Sequence, residues 1–238
     1  MQLVVLTGRT VAFLVAPEGA EQRELTSCWQ AVAEAGGTAR LVSTRPGRVQ
    51  AFRHLDRADT FPVDDVVGVV EPGDYDALVL PGGVANPDTL RLHRAAVAFV
   101  HELSAAGRPV AVICHGAWTL IEADAVRGRT LTSWPSIRTD LVNAGASWVD
   151  EPVHVCRDGP GVLVSGRRPA DLPAFNEALV TEFAHARPAG GPHPPWPVAH
   201  EAAPSRHTAA GTEAGTEAGT AAADGVSLSR GSGGPAPG

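Results

Sequence analysis

Apolar and polar positions change rhythm block by block through the first 186 residues. TVAFLVA (Thr10 to Ala16) is a continuous apolar run, the pattern of a strand covered on both faces. From Glu21 to Ala35, Leu25, Trp29 and Val32 recur at helical spacing, and Gly36-Gly37 closes the segment. TARLVS (Thr38 to Ser43) reads as a second strand, followed by a short strand pattern around Val49 to Phe52. DALVL (Asp76 to Leu80) is a third apolar run, stopped by Pro81-Gly82-Gly83. Asp88 to Ala106 reads as one helix, with Leu92, Ala95, Ala96, Phe99 and Leu103 on a single face. PVAVIC (Pro109 to Cys114) is the most apolar strand, and helical spacing resumes from His115 to Val126. A helix over Pro135 to Gly145, strands at VHVC and VLVS, and a helix from Leu172 to Ala186 complete the pattern.

Strands alternating with helices predict an α/β domain over residues 1–186. Its expected form is a doubly wound, flavodoxin-like parallel sheet sandwiched by helices, with right-handed crossovers. Residues 187–238 break the pattern. They are Pro, Gly, Ala, Ser and Thr with almost no large apolar side chains, and GTEA repeats at Gly211 and Gly215 before GTAA at Gly219. Such a segment cannot offset its ordering entropy by burial, so a disordered C-terminal tail is expected. His193, His200 and His207 fall seven apart there, and without a scaffold they read as solvated imidazoles, not a metal site.

Composition narrows the chemistry. Formal net charge is −7, and no dense basic cluster occurs, so neither nucleic acid nor an anionic membrane is an expected partner. All nineteen basic residues are arginine. Without lysine, a Schiff-base aldolase, a pyridoxal-phosphate enzyme and a P-loop nucleotidase are excluded. Cys28, Cys114 and Cys156 are widely spaced and odd in number, which argues against a disulfide framework and a cysteine zinc site. With no signal peptide and no membrane-length apolar run, the expected setting is the reducing cytoplasm.

In open α/β sheets the site lies beyond the carboxyl ends of the strands. Two such ends are unusual: Leu80-Pro81-Gly82-Gly83 and Ile113-Cys114-His115-Gly116. An apolar strand running into Cys114, with Gly116 two residues on, is the arrangement of a nucleophile elbow. The helix start at His115 is expected to favour the thiolate and lower the thiol pKa. The alternative is a small buried hydrophobe, the commonest fate of a free Cys and the role expected of Cys28 and Cys156. The N–H groups of Gly83 and His115 would form an oxyanion hole, although Pro81-Gly82-Gly83 alone is also an ordinary strand-ending turn. Glu21, at the start of the first helix, is either a protonated carboxyl steadying the sulfur or a helix-start acid favoured by the dipole; the sequence leaves both open.

These segments resemble the ThiJ/PfpI family. The matching runs are AEQREL (Ala20 to Leu25), YDALVLPGG (Tyr75 to Gly83), NPDTLR (Asn86 to Arg91), GRPVAVICHG (Gly107 to Gly116), RGRTLTSWPSIRTDLVNAGASWVDE (Arg127 to Glu151) and DLPAF (Asp171 to Phe175). The resemblance implies Cys114 as nucleophile beside His115, Glu21 as the acid on the sulfur, and an oxyanion hole of Gly83 and His115. It further implies a homodimer or higher homo-oligomer in which a neighbouring subunit supplies Asp88. The loop before Glu21 departs from the family pattern, being one residue longer, which leaves Glu18 as a rival.

The activity implied is cofactor-independent and metal-free. The leading expectation is glyoxalase- or deglycase-like action on small reactive carbonyls or glycated substrates in stress protection. A cysteine peptidase or amide hydrolase acting on peptides, and a non-catalytic redox sensor, are the alternatives. A glutamine amidotransferase is disfavoured, because no His-x-Glu follows Cys114.

Overall fold

The computed structural model describes residues 5–186, all within the unit Met1–Pro197. The tail expected from residue 187, with its three histidines, lies outside the described residues.

In chain order the strands are β1 (Thr10–Leu14), β2 (Glu18–Glu21), β3 (Thr38–Ser43), β4 (Arg48–Arg53), β5 (Asp56–Pro62), β6 (Asp65–Val66), β7 (Ala77–Leu80), β8 (Val110–Ile113), β9 (Thr130–Leu131), β10 (Ser147–Trp148), β11 (Val153–Cys156) and β12 (Leu163–Gly166). The helices are α1 (Gln22–Glu34), α2 (Ala85–Leu90), α3 (Arg94–Ala105), α4 (Ala117–Glu122), α5 (Arg138–Asn143) and α6 (Leu172–His185). A seven-stranded sheet runs β11-β12-β8-β7-β1-β3-β6. Every pairing in it is parallel except that of the edge strand β11 with β12. The order reverses at β1, with β3 on one side and β7 on the other, so the expected doubly wound topology is present.

Strand alternation builds the two layers. Val11, Phe13, Val79, Ala111 and Ile113 face a core completed by Leu25, Cys28 and Val32 of α1 and Phe175, Leu179 and Phe183 of α6. Their strand neighbours Ala12, Leu14, Leu78, Leu80, Val110 and Val112 face the opposite core, with Phe99, Val100 and Leu103 of α3 and Leu120 of α4. Among the described residues no helix is long and apolar enough to cross a membrane.

Three expectations need correction. The helix drawn over Asp88 to Ala106 is two helices: His93 leaves helical geometry (φ −98, ψ 102) and its ring accepts the Ala96 N–H, capping α3. Leu92, assigned to the buried face, is 84% exposed. The helix after Cys114 begins as a 3-10 turn over Cys114–Gly116 and continues only to Glu122. Glu18 to Ala20, read as a loop, and Glu21, read as the helix start, form a strand in a separate three-stranded sheet, β2-β4-β5, in which β4 and β5 form an antiparallel hairpin.

Phe175 is fully buried and lies so close to Gly166 that a Cβ there would come within 2.7 Å of its ring. Phe175→Ala is therefore expected to lower unfolding free energy by about 3–5 kcal/mol, measured as a shifted urea midpoint at constant slope.

Candidate active site

Parallel pairing brings the carboxyl ends of β1, β7 and β8 to one edge. Leu80 is registered with Val112, so Pro81-Gly82 lies alongside Ile113-Cys114. Cys114 leaves β8 with φ +63, a left-handed backbone that costs a non-glycine residue about 1–3 kcal/mol and persists only where packing enforces it. That is the strained turn of an elbow. Gly82 is what lets the neighbouring chain pass: a Cβ there would stand 2.6 Å from the Cys114 Cβ and 2.6 Å from Glu24 Oε2.

The carboxyl at the sulfur is Glu24, not Glu21. Glu21 is the extended residue ahead of α1 (φ −67, ψ 115), and its Oε2 accepts the His54 N–H at 2.9 Å on the hairpin tip. Glu18 is exposed, with Oε2 3.5 Å from Arg57. Glu24 sits inside the first turn of α1, on the same face as Cys28 four residues on, and is fully buried. Its Oε2 accepts the Gly82 N–H at 2.7 Å, and the carboxyl hydrogen-bonds the Cys114 thiol. Oε1 has no hydrogen-bond partner among the described residues. The sequence carried a signal for this: Glu24, Cys28 and Val32 form an i, i+4, i+8 line, and an acid in a buried stripe needs a partner.

Burial pushes the Glu24 carboxyl up to about 8; the Gly82 N–H opposes the rise and Glu21 adds to it. The hydrogen bond with the Cys114 thiol also opposes the rise, and near neutrality the carboxyl keeps its proton. The Cys114 thiol also stands above its ordinary value, contrary to the lowering expected from the helix start. Desolvation is the main cause, the Glu24 charge adds to it, and hydrogen bonds from the His115 and Gly83 amides pull the other way. At 7% exposure the sulfur is nearly closed off from water, and one short helix does not outweigh that. The two groups ionise as a pair, in which a first negative charge holds back the second.

His115 lies beside the sulfur, Nδ1 to Sγ 3.3 Å, and its Nε2 is 3.2 Å from Ser136 Oγ. Trp134 stacks on the imidazole (5.8 Å, 26°) and Trp118 tilts against it (5.3 Å). Desolvation lowers the His115 pKa, so the ring is neutral at pH 7. Gly83 and His115 thus both direct amides at the nucleophile. Asp88 is exposed in the first turn of α2 and does not join this group within one copy of the chain.

Asn86 was not singled out in the sequence. It is fully buried; its Oδ1 accepts the Ala16 N–H (2.7 Å), and its Nδ2 donates to the carbonyls of Pro81 (2.9 Å) and Gly82 (3.2 Å). One amide thereby ties the end of β1 to the Gly82 turn. Cys28 and Cys156 are buried free cysteines, Cys28 one turn beyond Glu24 in α1 and Cys156 at the end of β11. Among the described residues no group of three or more His, Cys, Asp or Glu is placed to hold a metal ion.

The profile of the DJ-1/PfpI family matches residues 9–182. The chain is 40% identical over 170 residues to Deglycase PH1704 of Pyrococcus horikoshii, an alignment covering 71% of this chain and 96% of that protein. It is 38% identical over 172 residues to Protein/nucleic acid deglycase 2 of Escherichia coli, covering 72% and 96%. Among solved structures, Drosophila melanogaster DJ-1beta superposes with a TM-score of 0.65 at 26% identity, covering 74% of this chain and 90% of that one.

The raised Glu24 pKa links stability to pH. Between the ordinary 4.5 and the folded value of about 8, the unfolded chain ionises this carboxyl while the folded chain keeps its proton. Its contribution is therefore full below pH 4.5 and lost as pH rises through about 8. Glu24→Gln removes the titration. In urea melts, the stability of the variant relative to wild type is expected to improve by several kcal/mol from pH 4.5 to pH 8, at about 1.4 kcal/mol per pH unit. A difference independent of pH would show that Glu24 is not held protonated.

Proposed function

The chain belongs to the DJ-1/PfpI family, and from that premise we propose that it is a cofactor-independent cysteine enzyme acting on small reactive carbonyls or their early adducts with amines. The observation that carries this reading is a thiol on a strained elbow, 3.3 Å from a neutral imidazole and hydrogen-bonded to a protonated carboxyl. Deglycase is the name borne by the Pyrococcus horikoshii and Escherichia coli relatives.

Methylglyoxal is the simplest substrate of this kind. His115 Nδ1 takes the Cys114 proton as sulfur bonds to the aldehyde carbon, so the attack is base-assisted and does not require a standing thiolate. The C=O π electrons move to oxygen, which the amides of Gly83 and His115 receive before it is protonated to a hemithioacetal. His115 then moves a proton from the former aldehyde carbon to the neighbouring carbonyl carbon while the hemithioacetal hydroxyl proton passes to the former ketone oxygen, giving a lactoyl thioester. Water cleaves the thioester, releasing lactate and the thiol. Protonated Glu24 steadies the sulfur throughout. Asp88 enters only through a second copy of the chain, as an acid approaching the rim of its partner's site. The reading places this work in a reducing cytoplasm, as protection against carbonyl stress.

Wild type is expected to turn over methylglyoxal and glycated amines, and Cys114→Ala to lose at least a hundredfold in kcat/KM. Equal rates for the two proteins would end the reading. Cleavage of fluorogenic peptides without action on carbonyls would transfer it to a hydrolase, and peroxide oxidation at Cys114 without any turnover to a sensor. The pH profile is a separate check. Because Glu24 acts in its protonated form, kcat/KM should fall as pH rises through about 8, and Glu24→Gln should abolish that fall.

A further inference from the structure

We propose that Asn86 is a positioning residue for the site: by holding the Pro81 and Gly82 carbonyls on one side of the turn after β7, it aims the Gly82 and Gly83 N–H groups at Glu24 and Cys114 on the other. The inference deepens the reading of Cys114 as nucleophile with Gly83 in the oxyanion hole, and rests on it.

A trans peptide unit is planar, with its C=O and N–H pointing in opposite directions, so fixing one end aims the other. Two successive units follow β7. In the first, the Pro81 carbonyl accepts from Asn86 Nδ2 at 2.9 Å, and the Gly82 N–H donates to Glu24 Oε2 at 2.7 Å. In the second, the Gly82 carbonyl accepts from Asn86 Nδ2 and from the Glu21 N–H, each at 3.2 Å, and the Gly83 N–H is directed at the Cys114 sulfur. The carbonyls thus converge on one amide nitrogen, and the N–H groups converge on the acid and the thiol. Successive N–H groups aimed to one side make a concavity that favours negative charge.

The orientation of the Asn86 amide is fixed by its partners. The Ala16 N–H, 2.7 Å away, can only donate, so it faces Oδ1; the two carbonyls can only accept, so they face Nδ2. The side chain is fully buried, which removes solvent as a competing partner. Its anchor is firm as well, since Ala16 is buried just beyond β1, the strand held between β3 and β7.

The turn has little of its own to hold it. Glycine leaves the backbone a wide choice of conformations, and Gly83 occupies φ +83. Asn86 supplies the restraint that the two glycines lack. The titratable groups that face the sulfur are Glu24 of α1 and His115 of its own turn. Asn86 is uncharged, so its removal reaches the sulfur only through the backbone.

The test uses full-length wild type, Asn86→Ala, Asn86→Asp and Leu103→Ala, the last a destabilised control in the opposite core layer. Urea midpoints establish that each is folded. Asn86→Asp keeps an acceptor for the Ala16 N–H and, ionised, lacks both donors, so it serves where the Ala variant does not fold. With methylglyoxal, kcat is expected to fall about tenfold to a hundredfold in both Asn86 variants with KM within about threefold, short of outright loss of an oxyanion donor. Leu103→Ala should keep the wild-type kcat. Cys114 alkylation by iodoacetamide, located by mass spectrometry, needs no substrate. Its pH midpoint is expected to rise by about one unit in Asn86→Ala, the worth of a weakened hydrogen bond to a thiolate, and at least as far in Asn86→Asp. Wild-type kcat in a folded Asn86 variant, a loss confined to KM, an unmoved alkylation midpoint, or the same changes in Leu103→Ala would overturn the proposal. Equal turnover of methylglyoxal by wild type and Cys114→Ala is a failure of the carbonyl reading instead, and the alkylation midpoint alone then decides this one.

Discussion

A buried carboxyl pressed against a buried sulfur is the contact on which this molecule's chemistry turns. Glu24 reaches from the first turn of α1, across the Gly82 backbone, to Cys114 at the end of β8. Ionised and alone in that position it would be costly to bury, and the fold answers with one amide donor and a retained proton. Protonation changes what the residue is. A carboxylate beside a thiol would oppose thiolate formation, whereas a carboxylic acid donates to sulfur.

The surrounding backbone is shaped to permit that contact. Cys114 sits in a left-handed conformation that the sequence would not choose by itself, and Gly82 omits the side chain that would strike both Cys114 and Glu24. Asn86 locks the turn from behind with three hydrogen bonds from a fully buried amide. Strain at the elbow is sustained because two apolar layers fix the parallel strands on either side of it. Rigidity of the sheet is thereby converted into precision at a single sulfur atom.

Burial also recasts how the nucleophile is made ready. A helix start beside an exposed thiol would stabilise a standing thiolate, but at Cys114 desolvation exceeds that effect and the proton stays on. A base within reach then matters more than a dipole. His115 is neutral for the same reason that the thiol is protonated: both lie in a region that penalises charge, walled by Trp118 and Trp134. Low polarity around the pair suits a mechanism in which the proton moves as the bond forms.

Much was readable from the chain alone. The change of period between strand and helix specified the layered α/β fold, because burial on both faces requires unbroken apolar strands and burial on one face requires helical spacing. The run of an apolar strand into Cys114-His115-Gly116, and Pro81-Gly82-Gly83 beside it, located the site, since strand ends in such sheets share one edge. The identity of the acid was decided only in three dimensions. Beginning α1 at Gln22 rather than Glu21 turns Glu21 toward the hairpin and Glu24 toward the sulfur, and each residue of helical phase rotates a side chain by about 100°. Asn86 was likewise hidden, because its partners are backbone atoms supplied by other turns of the chain. Local pattern determines which face a residue can occupy; only packing determines what it meets there.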